Sequence, residues 1–310
     1  MSPEKYIALP SSSKDLKNKH LIQYVFRVLP GILFLTSATA KLAGIDAFEL
    51  YLFSFGWFSL GTAYLLARLV IAAEYTLGIL LIANFYPRLA LWGSVAMLAA
   101  FSLFLAGLLV AGKNDNCHCF GEWVDLDPLR SLAKNAGMLV LLSLGAGIRP
   151  FNIRFKPLWL ALAIVIPLAT VLIVSPPDNW RYDSYGRSEP INEPAFREAL
   201  AEGILPASIE EGDHIVCFYS LKCKFCKMSA RKLMTLLERG DIEAMPIVAV
   251  FGRGDDPDPT PFFVETGLEA SETLFIEPSD FLRITKGAFP VILVMHGPEI
   301  TTSYNYRNLH

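Results

Sequence analysis

Charged residues are scarce in this chain: Asp, Glu, Lys and Arg make up 18% of its 310 residues, and the formal net charge is −3. A net charge so close to zero does not indicate nucleic-acid binding, which needs a strongly basic surface. The charged residues lie mainly at the ends and in the last third, whereas hydrophobic residues make up 53% of the whole. The composition therefore indicates a membrane protein with a soluble domain attached.

Cysteine is also scarce, and its count of five is odd. The distribution is more informative than the count, because Cys117 and Cys119 lie in one loop and Cys217, Cys223 and Cys226 lie in the last third. None lies in the strongest predicted spans. The sequence also lacks a His-rich or Met-rich tract, so these cysteines are the candidates for chemistry.

The N-terminal stretch lacks the features of a cleavable signal peptide. Residues 1–20 are polar and carry four lysines before an apolar run begins at Leu21. A signal peptide has a shorter apolar core and a small-residue cleavage site, whereas four more apolar segments follow here. We therefore predict that residues 1–20 are an uncleaved cytoplasmic tail.

Long apolar segments, by contrast, are plentiful. Five are long enough to cross a bilayer, at residues 21–43, 60–83, 89–111, 129–148 and 157–174. The fourth is the weakest, because Arg130, Lys134 and Asn135 lie in its first two turns. Residues 21–175 are therefore predicted to form an all-α membrane bundle of about five helices.

Positive charges in the short connections set the predicted orientation. Besides the lysines of the tail, Arg88 follows the second span and three basic residues lie within 149–156, before the last span. Acidic residues dominate the opposite loops, 44–59 and 112–128. We predict a cytoplasmic N-terminus and, after five crossings, an extracytoplasmic location for everything beyond residue 174.

A dithiol lies between an apolar run, 214–219, and a helical pattern, and strand, turn, dithiol, helix is the order that a redox site needs. A cysteine at a helix N-terminus feels unpaired backbone N–H groups and the positive end of the dipole, which favour the thiolate. Lys222 and Lys224 favour it too. We predict Cys223 as the nucleophile and Cys226, one turn on, as the resolving thiol.

A proline before a hairpin extends this pattern. Pro290 opens an apolar strand, 291–295, which is followed by a partner strand at 299–306. Together with the dithiol, these features make residues 190–310 resemble a thioredoxin-like α/β domain. The resemblance implies that Pro290 is a cis proline that faces the dithiol; the alternative is that it only begins a strand.

The same resemblance places Cys217 where thioredoxins often bury an acid. Cys217 is therefore either a small core hydrophobe or a third redox thiol. The Pro- and Ser-containing segment 176–193 reads as an extended tether, and the thioredoxin-like domain is predicted to occupy 194–310.

The loop after the third span carries the second chemical feature, Cys117-His-Cys119. Two cysteines one residue apart can form a small strained disulfide, ligate a soft metal, or do neither. Since both dithiols are predicted outside the cytoplasm, where disulfides persist, we expect them to exchange with each other.

Residues 20–175 resemble redox-associated membrane proteins of the DoxX and MauE type. The resemblance depends on Cys117, Cys119, Phe120 and Gly121 after the third span, and on Glu74 in the second span, where that family often carries an acid. MauE acts in methylamine utilisation beside a separate thioredoxin-like partner, so the resemblance implies that both pieces are fused here. It does not imply a direction of electron flow.

Glu74 lies near the centre of the second span, where an ionisable residue is costly and usually paired or functional. One interpretation is a proton acceptor coupled to Cys117 and Cys119. The other is a structural ion pair with Arg68 or Lys41 that holds helices together.

Two dithiols on one predicted face lead to the main hypothesis, a membrane-bound thiol–disulfide oxidoreductase. Cys223 and Cys226 exchange with extracytoplasmic protein thiols or disulfides, and Cys117 and Cys119 exchange with that pair. An oxidising direction is favoured because no intramembrane cysteine pair exists to bring electrons outward. No metal is required, no cofactor is certain from the sequence, and a membrane quinone is the candidate acceptor.

Two alternatives remain open at this stage: a Cu(I)-handling module, since Cu(I) favours soft thiolates, and a non-redox assembly factor for a partner protein. The uncleaved tail, the short loops and the fusion are typical of a bacterial inner membrane protein, with the thioredoxin-like domain in the periplasm and the lipid bilayer around the helices.

Overall fold

The structure is a computed structural model that describes residues 13–110, 124, 127–152, 154–181, 191–254 and 258–309. The described residues fall into two compact units. The helical unit lies within Met1–Phe48 and Leu66–Ser175, and the α/β unit lies within Glu49–Leu65 and Pro176–His310. A membrane helical part followed by an α/β domain is the predicted fold class, and it is confirmed.

The first part of the chain is helical. Its helices are α1 (Ser13–Ala43), α2 (Ile45–Phe53), α3 (Leu60–Ala83), α4 (Pro87–Val110), α5 (Pro128–Leu144) and α6 (Lys156–Val174). Within the described part of the chain, four stretches are long and apolar enough to cross a membrane: His20–Ala43, Leu60–Ala83, Pro87–Val110 and Lys156–Val174. Four of the five predicted spans therefore have the length and composition of spans.

The remaining predicted span, 129–148, is shorter in the structure than in the prediction. Helix α5 has 17 residues and ends at Gly145, whose N–H caps it. At 1.5 Å per residue it is about 25 Å long, less than a hydrocarbon core of about 30 Å. It also buries polar groups, with Asn135 donating to Ser102 Oγ at 3.2 Å. The crossing by α5 stays a prediction.

Helices α1 and α3 approach each other closely at two glycines. A Cβ on Gly31 would lie 3.2 Å from the Gly78 carbonyl oxygen, and a Cβ on Gly78 would lie 2.9 Å from that of Gly31. Small residues permit such backbone contact, which is how membrane helices pack where lipid supplies no hydrophobic drive between them. Apolar side chains fill the core around this contact: Phe34, Leu80, Leu81, Met138 and Leu142.

The α/β unit contains a five-stranded mixed sheet in the order β3-β2-β1-β4-β5. Its strands are β1 (Asp213–Tyr219), β2 (Ile247–Gly252), β3 (Glu272–Ile276), β4 (Val291–His296) and β5 (Glu299–Tyr304). Strands β1, β2 and β3 are parallel, whereas β4 pairs antiparallel with both β1 and β5. The predicted strands and hairpin are therefore all present. The β4–β5 register shifts next to Val294, where Thr301 is the extra residue.

Helices cover both faces of this sheet. They are α7 (Asp178–Arg181), α8 (Glu193–Ala201), α9 (Lys224–Glu238), α10 (Thr260–Thr266) and α11 (Pro278–Thr285). Because strand side chains alternate, Phe218 and Tyr219 point to opposite faces. The Phe218 ring lies 6.4 Å from Phe196 of α8 and 6.0 Å from Phe281 of α11, whereas Tyr219 lies 5.6 Å from Phe262 of α10.

The α/β unit also includes the segment Glu49–Leu65, which the sequence did not lead us to place there. Lys232 of α9, only 2% exposed, donates to Tyr64 Oη at 2.9 Å. Arg239, which follows α9, donates to the Phe58 carbonyl oxygen at 2.8 Å. A buried Lys232 and a half-buried Arg239 thus join this segment to the helix that begins at the dithiol.

Candidate redox site

Cys223 is the N-cap of α9. Its Sγ accepts a hydrogen bond from the backbone N–H of Cys226 at 3.3 Å. This N–H has no partner within the helix, because the first turn of any α-helix leaves its donors unpaired. The half-buried sulfur therefore takes the place of a capping oxygen, as the strand–turn–helix order predicts.

This position makes Cys223 acidic for a thiol. Hydrogen bonding from the Cys226 side chain and from the backbone N–H groups of Cys226 and Phe225 lowers the pKa of Cys223 to about 6, despite the opposing effect of burial. The sequence suggested that the charges of Lys222 and Lys224 also lower this pKa, but neither lysine is among the causes of the shift. Cys223 is thus mostly thiolate at neutral pH, the form that attacks a disulfide.

Cys226 differs from Cys223 in both burial and pKa, the two properties that govern the reactivity of a thiol. It is completely buried, and its Sγ accepts a long contact of 3.4 Å from the Ser220 backbone N–H. Burial, and next the hydrogen bond with Cys223, raise the pKa of the Cys226 thiol far above its usual value. Both sulfurs are free thiols in this structure. Cys223 is thus the accessible, acidic thiol of the pair and Cys226 the buried, neutral one, and their roles as nucleophile and resolving thiol stay predictions.

Pro290 lies beside this site. The Phe289–Pro290 peptide bond is cis, as the thioredoxin resemblance implied. The antiparallel register pairs Phe218 of β1 with Val291 of β4, which puts Pro290 opposite Tyr219, where β1 leads into the dithiol turn. Pro290 is buried there. Its predicted role in the site stays a prediction.

An aromatic and charged edge borders the dithiol. Phe225, between the two cysteines, is 40% exposed and its ring lies 5.5 Å from that of Tyr306. The Arg307 guanidinium lies 5.5 Å from the Phe225 ring and donates to both carboxylate oxygens of Asp178, at 3.1 and 3.2 Å. This edge was not found from the sequence, since its members are spread over the 129 positions between Asp178 and Arg307.

A group of uncharged polar side chains lies behind Cys226, and the sequence indicated only one of them. Strand alternation puts Cys217 and Tyr219 on the same face, and helical spacing puts Ser229 above Cys226. All four side chains are completely buried. Burial raises the pKa of Cys217 to about 12, so it remains a neutral thiol. This favours the core-hydrophobe interpretation over a third redox thiol.

The second predicted dithiol, Cys117 and Cys119, lies outside the described residues. Its disulfide, its metal binding and its exchange with Cys223 and Cys226 therefore stay predictions.

Glu74 is buried in the helical unit and pairs with Lys41. Lys41 Nζ lies 2.6 Å from Glu74 Oε1 and donates to Ser37 Oγ at 2.7 Å. Arg68, the other suggested partner, instead donates from Nε to the Ser175 carbonyl oxygen at 2.9 Å. Of the two candidate partners of Glu74, Lys41 is the one that forms the ion pair in the structure. A proton-handling role for Glu74 or Arg68 stays a prediction.

These observations define a class: a multi-pass membrane protein whose α/β domain carries a dithiol at a helix N-terminus. Comparison with known proteins agrees. Residues 19–148 match the family described as "Methylamine utilisation protein MauE". The MauE part of the predicted resemblance is confirmed, whereas the DoxX part stays a prediction.

A curated relative extends the similarity over most of the chain. It is "Protein TlpB" of Flavobacterium psychrophilum, 26% identical over an alignment 310 positions long that covers 83% of each protein. No solved structure matches the chain. The similarity to this relative thus extends well beyond residues 19–148.

Proposed function

We propose that this protein is a membrane-bound thiol–disulfide oxidoreductase that uses Cys223 and Cys226. The observation that carries the proposal is the contrast between the two sulfurs, one half-buried with its pKa lowered to about 6 and one buried and protonated. The similarity to MauE and to "Protein TlpB" supports a redox-related membrane protein.

The chemistry is a pair of thiolate exchanges. The Cys223 thiolate attacks one sulfur of a partner disulfide, and the other partner sulfur leaves with the electron pair. Cys226 then loses its proton and attacks the Cys223 sulfur. The bond from Cys223 to the partner breaks, the partner leaves as a thiolate and takes up a proton, and a Cys223–Cys226 disulfide remains. The dithiol is oxidised by two electrons and the partner disulfide is reduced by two. Run backwards, the same steps oxidise a partner dithiol.

The electron relay in this proposal continues to Cys117 and Cys119. That pair takes two electrons from the reduced Cys223–Cys226 dithiol and passes them to a membrane quinone, and the partners are extracytoplasmic protein thiols. The arrangement requires the α/β domain and the Cys117 loop on the periplasmic side of a bacterial inner membrane. It therefore requires α5 to cross, since four crossings would leave the domain in the cytoplasm. A length of 17 residues is at the lower limit for spanning.

A trapping experiment tests the relay. In the Cys226→Ser variant, expressed in its membrane, the resolving thiol is missing and mixed disulfides of Cys223 accumulate. After thiols are blocked by alkylation, mass spectrometry without reduction identifies the sulfur bound to Cys223. We expect a bond to Cys117 or Cys119, and Cys217→Ser in the same background serves as the matched control. Bonds to foreign proteins only, with Cys117 and Cys119 reduced or metal-bound, would separate the two dithiols and favour metal handling or assembly.

Reporter fusions test the compartment. Alkaline phosphatase, which folds only where disulfides form, is fused after Leu309, and a fusion after Asn84 is the control for the opposite side. We expect activity at the first site and none at the second. The reverse result at Leu309 would show that α5 does not cross.

A further inference from the structure

Three side chains beside the resolving thiol carry a further inference. Tyr219 Oη and Ser229 Oγ are buried and have no hydrogen-bond partner among the described residues. Cys217, Ser229 and Cys226 are all close enough to influence the pKa of the Tyr219 hydroxyl, but no well-formed hydrogen bond joins that hydroxyl to any of them. Buried polar groups are nearly always paired, so two unpaired hydroxyls in one place call for an explanation.

The explanation is the charge that appears at Cys226 during exchange. The resting thiol is neutral and gives the hydroxyls no strong acceptor. When Cys226 ionises to resolve a mixed disulfide, or leaves as a thiolate in the reverse reaction, a buried negative charge appears beside them. Donors held ready where a charge develops stabilise that state without having to reorganise.

We propose that the hydroxyls of Tyr219 and Ser229 form a thiolate hole that donates hydrogen bonds to the Cys226 sulfur while it carries its negative charge. The inference rests on the proposed oxidoreductase function and deepens it. Tyr219 and Ser229 are positioning residues that change no oxidation state, and the Cys226 proton leaves with the departing thiolate or with water. The role is the same for either direction of electron flow.

The surroundings of Cys226 make these hydroxyls important. The titratable groups that interact with it are Cys223 on its own helix and Tyr219 on β1, and Cys217 lies next to Tyr219 on the same strand face. None of them is cationic, and the position where thioredoxins often bury an acid holds Cys217. The Cys226 sulfur already accepts from the Ser220 backbone N–H at 3.4 Å. The Tyr219 hydroxyl lies close enough to interact with a charge on Cys226, and Ser229 lies one helical turn from Cys226, so both hydroxyls are candidate donors to the thiolate.

A two-step release assay tests the proposal in the full-length reduced protein in micelles, with Cys117 and Cys119 both changed to Ala. With 5,5′-dithiobis(2-nitrobenzoate), attack by Cys223 releases one coloured thiolate and resolution by Cys226 releases the second. In Tyr219→Phe and in Ser229→Ala we expect an unchanged first phase and a second phase slowed about 10- to 100-fold, with its pH profile moved to higher pH. The Tyr304→Phe variant, which makes the same change on β5, should retain both rates.

Stability measurements separate this role from structural damage. Removing a buried hydroxyl without a partner breaks no hydrogen bond, so the melting temperature of Tyr219→Phe should be unchanged or higher. An unchanged second phase, or equal slowing of both phases with a lower melting temperature, overturns the thiolate hole and leaves the oxidoreductase proposal standing. If the protein with intact Tyr219 and Ser229 releases only the first equivalent, the oxidoreductase proposal fails, and the thiolate hole fails with it.

Discussion

Two buried clusters, one around Glu74 in the helical unit and one around Cys226 in the α/β unit, treat their polar groups in opposite ways. In the helical unit, Lys41 lies 2.6 Å from Glu74 and Arg68 donates to a backbone carbonyl oxygen, so the buried charges have partners. In the α/β unit, the buried hydroxyls of Tyr219 and Ser229 next to the dithiol have no partner in the described structure. Paired charges stabilise one conformation. On our proposal, the unpaired hydroxyl donors instead stabilise a thiolate that exists only during exchange.

The largest effect is expected from breaking the buried ion pair. Lys41→Met or Glu74→Leu removes one member of the ion pair, leaves the other buried without its counter-charge and should lower the free energy of unfolding by about 3–5 kcal/mol. The double variant Lys41→Met/Glu74→Leu should recover most of this loss, because two apolar side chains need no partner. Unfolding of the purified protein in sodium dodecyl sulfate measures both.

The matched control is the exposed pair between Arg130 and Asp127, 3.4 Å apart. Arg130→Gln should change the unfolding free energy by less than about 1 kcal/mol. If the single variants at Lys41 and Glu74 behave like this control, the buried pair does not stabilise the helical unit.

The next largest effect is the difference in reactivity between Cys223 and Cys226. In the reduced protein at pH 7, iodoacetamide should modify Cys223 at least about 100-fold faster than the buried Cys226. The rate at Cys223 should be half-maximal near pH 6. Relative to an unshifted thiol at pH 7, the gain should be only about 3- to 6-fold, because a lower pKa also lowers nucleophilicity.

The same shift makes the stability of the reduced protein depend on pH. The folded pKa of Cys223, about 6, is lower than the ordinary value of 9.0, so the thiolate stabilises the folded state. This contribution is complete above pH 9 and is lost as the pH falls towards 6. Cys223→Ser should lack this dependence, and an equal dependence in that variant would contradict the assignment.

A smaller effect is expected at the contact between α9 and the segment Glu49–Leu65. Lys232→Met removes hydrogen bonds to Tyr64 Oη and to the Tyr306 carbonyl oxygen, at a cost of about 1–3 kcal/mol. Hydrogen–deuterium exchange should accelerate in α9 and in the segment together. Lys222→Met, an exposed change, is the control, and acceleration in α9 alone would argue against the contact.

The smallest effect is expected at the surface. Glu265 accepts from Lys227 at 2.6 Å and from Arg231 at 3.2 Å, but all three side chains are substantially exposed. Glu265→Gln should therefore cost less than about 1 kcal/mol, and the difference should shrink in high salt. Thermal unfolding at low and high ionic strength checks both. A loss as large as that at Lys41 would mean that burial does not set the order of effects.

Features that depend on residues close together in the sequence were predictable. The helix cap by Cys223 and the β4–β5 hairpin follow from motifs within a few residues, and the cis bond before Pro290 was implied by the thioredoxin resemblance. The partner of Glu74 was left open between Arg68 and Lys41, although helical geometry could have decided it. Residues six apart do not share a helix face, whereas Lys41 reaches Glu74 from another helix.

Features that join distant parts of the chain were not predictable. The contact of Tyr64 with Lys232 spans 168 positions, and the Asp178–Arg307 pair spans 129. The unpaired hydroxyl of Tyr219 was missed for another reason. The sequence predicts that an aromatic residue at the end of a buried strand belongs to the hydrophobic core. Only the folded structure shows that its hydroxyl lacks a partner.

The bulge between β4 and β5 has a consequence for assembly. Strand β5 is the last of its sheet, and an edge strand offers unpaired backbone groups to any extended peptide. Here Thr301 interrupts the regular pairing, and exposed Thr301 and Thr302 line the edge. Bulges bend an edge and polar side chains discourage apolar stacking. Strand addition, a route to client capture as well as to aggregation, is therefore disfavoured at β5.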